Sequence, residues 1–388
     1  MVEQPRKLII ENARIVLPDG VLGDARLSIE DGIITKICLG KRALGNHKID
    51  AMGRWVIPGI IDLHSDVLEK ELEPRPNTLF PTDMVLFELD KKLTACGITT
   101  MYHSISYAEG EIGIRSNKMA DTIVEAINRL SPRLRVRTKV HARYEVTDEE
   151  AIPSIERLIG EGKIHLLSFM DHSPGQGQFR DDEAFKEYFG AVYQKSEADV
   201  DGIIKRKMSE KRFAKQRLDY LVRICRSHGI KMASHDDDTP EKVQWVQEKG
   251  IHISEFPVTM DAVRAANEHR LHVCLGAPNA LRGRSQGGNL SARNAIALGL
   301  GHILCSDYAP MTLLHAAFKL ADLGLLPLHE AINMISRNPA KALGIDRETG
   351  SLEEGKNADL IIAEESNGHC HVLKTFVAGQ EVFSTCLK

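Results

Sequence analysis

The run Val56-Ile57-Pro58-Gly59-Ile60-Ile61-Asp62-Leu63-His64-Ser65-Asp66 is an apolar stretch ending in two polar residues two positions apart. Side chains along an extended strand alternate between faces, so His64 and Asp66 point the same way. An imidazole nitrogen beside a carboxylate oxygen suits a divalent transition metal. The pair also fits a core histidine followed by an aspartate that caps the next helix. The remaining polar residues tip the balance. Glu145, Asp171, His172, His235, Asp236, Glu255 and Asp307 all fall where apolar runs end, whereas His165, His252, His272 and His302 fall where such runs begin. In a barrel of parallel strands the first end carries chemistry and the second carries stability. Sorting of this kind favours a metal-centred site over scattered core histidines.

Positioning these residues requires many strands that end together. Apolar β-like runs at 55–63, 98–103, 136–146, 164–170, 231–234, 252–256, 271–275 and 303–306 alternate with helical periodicity at 119–130, 151–159, 212–225, 240–247, 260–268 and 292–298. Eight strand–helix units predict an α/β fold, a (β/α)8 TIM-like barrel rather than an open sheet. A polar excursion near 179–204 follows the fourth strand, and helices near 328–336 and 339–343 close the series. The two ends differ in texture. Short strands around an Asp31-Gly32 turn, and again around Ala378-Gly379, predict a small β-sandwich domain built from both termini. The expected boundaries are 1–57 and 350–388 for that domain, with the barrel at 58–349.

Composition narrows the class. The chain has 388 residues, 43% of them hydrophobic and 27% charged, with a formal net charge of −4. This balance excludes a general nucleic-acid or membrane-surface binder, so an anionic ligand must be held by a local basic cluster or a metal. No apolar run is long enough to span a bilayer, and the first residues lack a signal-peptide pattern. The seven cysteines are scattered and never in CxxC spacing, as expected of reduced thiols in a cytoplasmic protein. The small β domain and the helical barrel exterior both offer surfaces for a homodimer.

Several motifs resemble the amidohydrolase superfamily: Pro58-Gly59-Ile60-Ile61-Asp62-Leu63-His64, Asn338-Pro339-Ala340-Lys341-Ala342-Leu343-Gly344, and the segment from Gly350 to Leu360. Within it, Glu73-Pro74-Arg75-Pro76, Met170-Asp171-His172-Ser173-Pro174-Gly175-Gln176, Ala233-Ser234-His235-Asp236-Asp237, Gly276-Ala277-Pro278-Asn279 with Arg282-Gly283, and Ser306-Asp307-Tyr308 are similar to the PhnM-like family of phosphonate catabolism. The resemblance spans the whole chain. It implies a metal-dependent hydrolase that converts α-D-ribose 1-methylphosphonate 5-triphosphate to the 5-phosphate and pyrophosphate, with an activated water attacking the α-phosphorus. The superfamily's common His-x-His is His64-x-Asp66 here, and no lysine ends the fourth strand. Val67 and Gln286 stand where the family more often has asparagine and histidine.

On that resemblance two divalent ions (Zn, Mn or Fe) are expected. His64, Asp66 and Asp307 would hold one, His172 and His235 the other, and Glu145 would bridge them. Asp307 would also act as the general base, while Asp171 and Asp236 would orient ligands from behind. The anionic substrate would be held by Lys70, Arg75, Gln176, Asn279, Arg282 and Arg284, since the guanidinium fork matches phosphate oxygens. A solvated-loop role for these basic residues is the competing expectation. Two other functions share the barrel: a C–N hydrolase of the dihydroorotase, hydantoinase or deaminase kind, and a non-catalytic scaffold.

Overall fold

The computed structural model describes residues 7–40, 47–109, 113–173, 197–285 and 290–385. The chain begins with five strands, β1 (Lys7–Leu17), β2 (Gly20–Glu30), β3 (Ile33–Leu39), β4 (Lys48–Asp50) and β5 (Trp55–Pro58). Asp31 and Gly32 take φ values of 48° and 82° between β2 and β3, the left-handed pair that a tight hairpin needs. The last three strands, β14 (Leu360–Ser366), β15 (His369–Val377) and β16 (Gln380–Ser384), join the first five in one mixed sheet. Its order is β16-β15-β14-β5-β1-β2-β3, with β4 beside β1.

Between these ends lie the eight parallel strands β6 (Ile60–Ser65), β7 (Ile98–Tyr107), β8 (Arg137–Glu145), β9 (Leu166–Met170), β10 (Lys231–His235), β11 (Ile253–Glu255), β12 (His272–Gly276) and β13 (Ile303–Cys305). They pair in chain order, and a bridge between Ser65 and Asp307 brings the last strand back to the first. This is the eight-stranded barrel that the alternating pattern predicts. One detail differs. The run 55–63 is two strands, because Pro58 has no N–H and the Gly59 N–H bonds Asp359 O in the terminal sheet at 2.9 Å. A Cβ on Gly59 would collide with the Thr99 side chain, so only glycine lets the chain pass from one sheet to the other at this point.

Period-two alternation divides each barrel strand between two environments. Val140, Ala142 and Tyr144 of β8 pack outward with the helices, while Ile61, Leu63, Tyr102, Leu166, Ala233 and Ile253 fill the barrel interior. The helices bury one apolar stripe each. Asn117–Leu130 buries Ala120, Ile123, Val124, Ile127 and Leu130, and the Ser116 hydroxyl caps it by accepting the Met119 N–H at 3.2 Å. Thr239 and Thr259 cap the helices Pro240–Glu248 and Met260–Glu268 in the same way. Helices Thr82–Ala95 and Thr312–Asp322 complete the outer ring and were not expected from periodicity. The excursion after β9 enters the described structure as helix Glu197–Glu210. Among the described residues no helix is long and apolar enough to cross a membrane.

Candidate metal centre at the barrel mouth

β6 delivers His64, β8 His141, β10 His235 and β11 Glu255 into one buried cluster. His64 Nδ1 lies 3.2 Å from a Glu255 oxygen and His141 Nε2 lies 3.8 Å from the same atom. The His64 ring centroid is 5.1 Å from that of His141 and 5.5 Å from that of His235. Ligand atoms of His64, His235 and Glu255 all fall within 4.8 Å of one another, as do those of His172, His235 and Asp236. His235 belongs to both groups.

The hydrogen bonding tests whether these residues fit a metal. His64 Nδ1, His141 Nε2, His235 Nδ1, Asp236 Oδ2 and both Glu255 oxygens are buried and make no hydrogen bond. Buried polar atoms are ordinarily paired, because desolvation without a partner costs about 1–3 kcal/mol each. Here lone-pair atoms crowd together with no proton suitably placed between them. That donor set fits divalent ions.

Electrostatics agree with the packing. Burial, reinforced by Arg143 and His235, pushes the His64 pKa well below its ordinary value. Burial likewise lowers His141 to about 3, against the pull of Glu255. Both rings are therefore neutral, the form a metal requires. Burial raises Glu255, with His141, His235 and Arg143 opposing. Burial also works against ionisation of Asp236, but His235, His172 and Lys242 outweigh it and hold the carboxyl at about 2. Asp307 is pushed up to about 7, first by burial and then by the Asp66 carboxylate.

Backbone strain aims three of the side chains. Asp236, Phe256 and Asp307 have φ values of 53°, 52° and 57°, each costing of order 1 kcal/mol in a non-glycine residue. Their N–H groups bond the next strand around the barrel: Asp236 to Glu255 O at 2.9 Å, Phe256 to Cys274 O at 2.9 Å, Asp307 to His64 O at 3.1 Å. The ladder therefore continues one residue past each strand while the chain turns away. Asp236 and Asp307 are left at the rim.

The other expected ligands flank this cluster. Glu145 accepts the Thr147 hydroxyl at 2.8 Å and the His172 N–H at 3.2 Å, and lies 3.2 Å from the ammonium of Lys207. His172 stands between Glu145 (3.6 Å) and Asp236 (3.9 Å). Asp66 lies 3.8 Å from Arg115, and its N–H bonds Asp307 O at 2.7 Å. Asp171 accepts the Ser173 N–H at 3.0 Å and so shapes the turn after β9.

The residues expected to hold substrate are placed differently. Lys70 is exposed with its ammonium 4.7 Å from the Tyr308 ring centre, Arg75 and Arg284 are exposed on loops, and Arg282 is exposed at the end of helix Ala277–Arg282. The Asn279 amide bonds backbone atoms of Leu290 and Ala292, which ties helix Ala277–Arg282 to the start of helix Ala292–Ala297. Gln176 and Gln286 lie outside the described residues. The sequence reading gave no role to His141, Glu255 or Lys207. Glu255 is visible there only as one more strand-end carboxylate. His141, Arg143 and Glu145 alternate along β8, and that period was the missed signal.

Comparison with known proteins now bears on the site. A family model described as "Amidohydrolase family" matches residues 209–382. The α-D-ribose 1-methylphosphonate 5-triphosphate diphosphatase of Escherichia coli is 33% identical over 381 residues, covering 97% of this chain and 100% of that one. The chain belongs to the amidohydrolase superfamily, among its PhnM-like members. An L-hydantoinase of Paenarthrobacter aurescens is 24% identical over 413 residues, covering 92% of this chain and 85% of the relative. The solved structure of 5-methylcytosine deaminase from Klebsiella pneumoniae superposes with a TM-score of 0.67 at 14% identity, covering 98% of each chain. That likeness shows the shared fold. The PhnM-like chain is thus a hydrolase, and the donor cluster at its barrel mouth supplies residues that can hold the metal its superfamily uses.

Proposed function

We propose that this chain hydrolyses α-D-ribose 1-methylphosphonate 5-triphosphate to the 5-phosphate and pyrophosphate. The observation that carries the reading is 33% identity running the full length of a relative with that activity. The donor cluster at the barrel mouth supports it.

His64, Asp66, His172, His235, Glu145 and Asp307 remain the proposed metal ligands, and the packing adds Glu255 and His141 to them. Bound divalent ions (Zn, Mn or Fe) would lower the pKa of a water toward neutrality and offset charge developing on phosphoryl oxygens. Asp307, left at the rim where the chain turns away after β13, would take the water proton on its carboxylate. Asp236, held ionised by its histidine and lysine neighbours, orients His235. Lys70, Arg75, Arg282 and Arg284, exposed after the first and seventh barrel strands, receive the departing diphosphate. The bond that breaks joins the α-phosphorus to its bridging oxygen, and pyrophosphate leaves with that oxygen.

The test is turnover by the metal-loaded chain. The reading predicts pyrophosphate release from the ribose phosphonate triphosphate and no opening of hydantoin or dihydroorotate. Turnover of a cyclic amide without pyrophosphate release would replace this reading with that of a C–N hydrolase.

A further inference from the structure

Among the described residues two arginines are buried at the 5–6% level, Arg143 and Arg217, and they differ in one respect. Arg217 is fully partnered: its guanidinium bonds the Thr147 carbonyl at 3.3 Å and the carboxylates of Glu149 at 2.8 Å and Glu210 at 2.5 Å. Arg143 donates from Nε to the thioether of Met170 at 3.3 Å and makes no other hydrogen bond or ion pair among the described residues. Its two terminal nitrogens have no partner. They are not among the sealed, unpaired atoms of the core, so they keep a little contact with solvent and can be reached by an anion.

The neighbouring strands sharpen the point. In the parallel register Arg143 of β8 stands opposite Ser106 of β7 on one side and Ser168 of β9 on the other. All three face the barrel interior. His141, two positions earlier on β8, bonds Ser104 of β7 and reaches Glu255, while Leu166, two positions before Ser168, packs in the interior cluster. The hydroxyls of Ser106 and Ser168 are buried and also lack hydrogen-bond partners. Arg143 lies one inward-facing position beyond His141, roughly 7 Å nearer the mouth. Its charge acts on His64, His141, Glu255 and Asp307 alike. A guanidinium edge and two flanking hydroxyls thus form one layer of unused donors beside the donor cluster.

We infer that Arg143, with Ser106 and Ser168, is an oxyanion-binding layer that holds the non-bridging oxygens of the phosphoryl group undergoing hydrolysis. The fork of terminal N–H groups takes two oxygens, and the serine hydroxyls donate to the same group from either side. The exposed arginines Arg75, Arg282 and Arg284 are then left to the distal phosphates. The identity of the anion rests on the function proposed above; the unpartnered layer does not.

The test uses the metal-loaded chain with inorganic phosphate as probe, in R143M, R143K, S106A and S168A variants. Calorimetric titration should show at least tenfold weaker phosphate binding in R143M, a smaller loss in R143K, and severalfold losses in each serine variant, with metal content unchanged. If R143M loses metal, R143K and the serine variants, which keep the local charge, decide the matter. Phosphate affinity equal to wild type in R143M, or in R143K together with both serine variants, would overturn the inference. The outcomes separate from those for the substrate. Arg143-dependent phosphate binding without pyrophosphate release contradicts the proposed substrate alone. Pyrophosphate release with unchanged KM and kcat in these variants contradicts the oxyanion layer alone.

Discussion

Glu255 on β11 places a carboxylate oxygen 3.2 Å from Nδ1 of His64 on β6, and neither atom makes a hydrogen bond. Both side chains are buried. A structural acid–imidazole pair would share a proton, whereas two lone pairs aimed past each other await a cation. Glu255→Gln preserves volume and removes the charge. We expect at least tenfold weaker metal binding, loss of turnover, and a folded chain by circular dichroism. Full metal content in E255Q, measured by elemental analysis, would remove Glu255 from the centre.

Histidines at the opposite end of the barrel should behave differently. His165 accepts the Val140 N–H at 3.2 Å and His302 accepts the Val273 N–H at 3.0 Å. Alanine at either position strands a backbone donor and should cost about 1–3 kcal/mol. Metal content and KM should stay at wild-type values. A loss of metal in H302A, with stability intact, would contradict this division of labour.

Asp62 gives the fold a pH dependence of predictable sign. Burial raises its pKa from 3.8 to about 7, although it accepts the N–H groups of Ser306 and His64. Between those two values the folded state binds more protons than the unfolded chain, so this group's contribution falls as pH rises from about 4 to about 7. A gap of that size corresponds to about 4 kcal/mol at most. Asp62→Asn removes the titration. Urea midpoints should show the variant gaining on wild type as pH rises through this window, and parallel profiles would contradict the assignment.

The exposed arginines Arg75 and Arg282 carry a kinetic prediction. Arg75→Ala and Arg282→Ala should each raise KM for the triphosphate about tenfold with little change in kcat, because they bind the leaving diphosphate in ground and transition states alike. Lysine at either position should restore only part of the loss, since it lacks the planar fork. Unchanged KM in both alanine variants would leave these residues as solvated surface charges without a binding role.

The barrel was legible because each strand is a bounded apolar run and the intervening segments keep a helical period. His64, Asp66, His235 and Asp307 were legible for a related reason: polar residues at the ends of such runs have few places to be except the mouth. The division at Pro58-Gly59 was hidden, since it depends on Asp359, some three hundred positions away. Glu255 follows only two strand residues, Ile253 and Ser254, and its approach to His64 arises from barrel closure that no local pattern encodes. His141 and Arg143 are the instructive omissions. They alternate with Glu145 in the sequence, but both sit inside an apolar strand rather than at its end. A search confined to strand ends passes over them.

The central claim is that water attacks the α-phosphorus of a ribose phosphonate triphosphate at this site, and the reaction in ¹⁸O-labelled water tests it directly. The account predicts one labelled oxygen in the ribose-bearing 5-phosphate and none in the pyrophosphate, read by the isotope shift in phosphorus resonance or by mass spectrometry. Label in the pyrophosphate instead would place attack at the β-phosphorus and contradict the assignment of the donor cluster to the ribose end of the substrate.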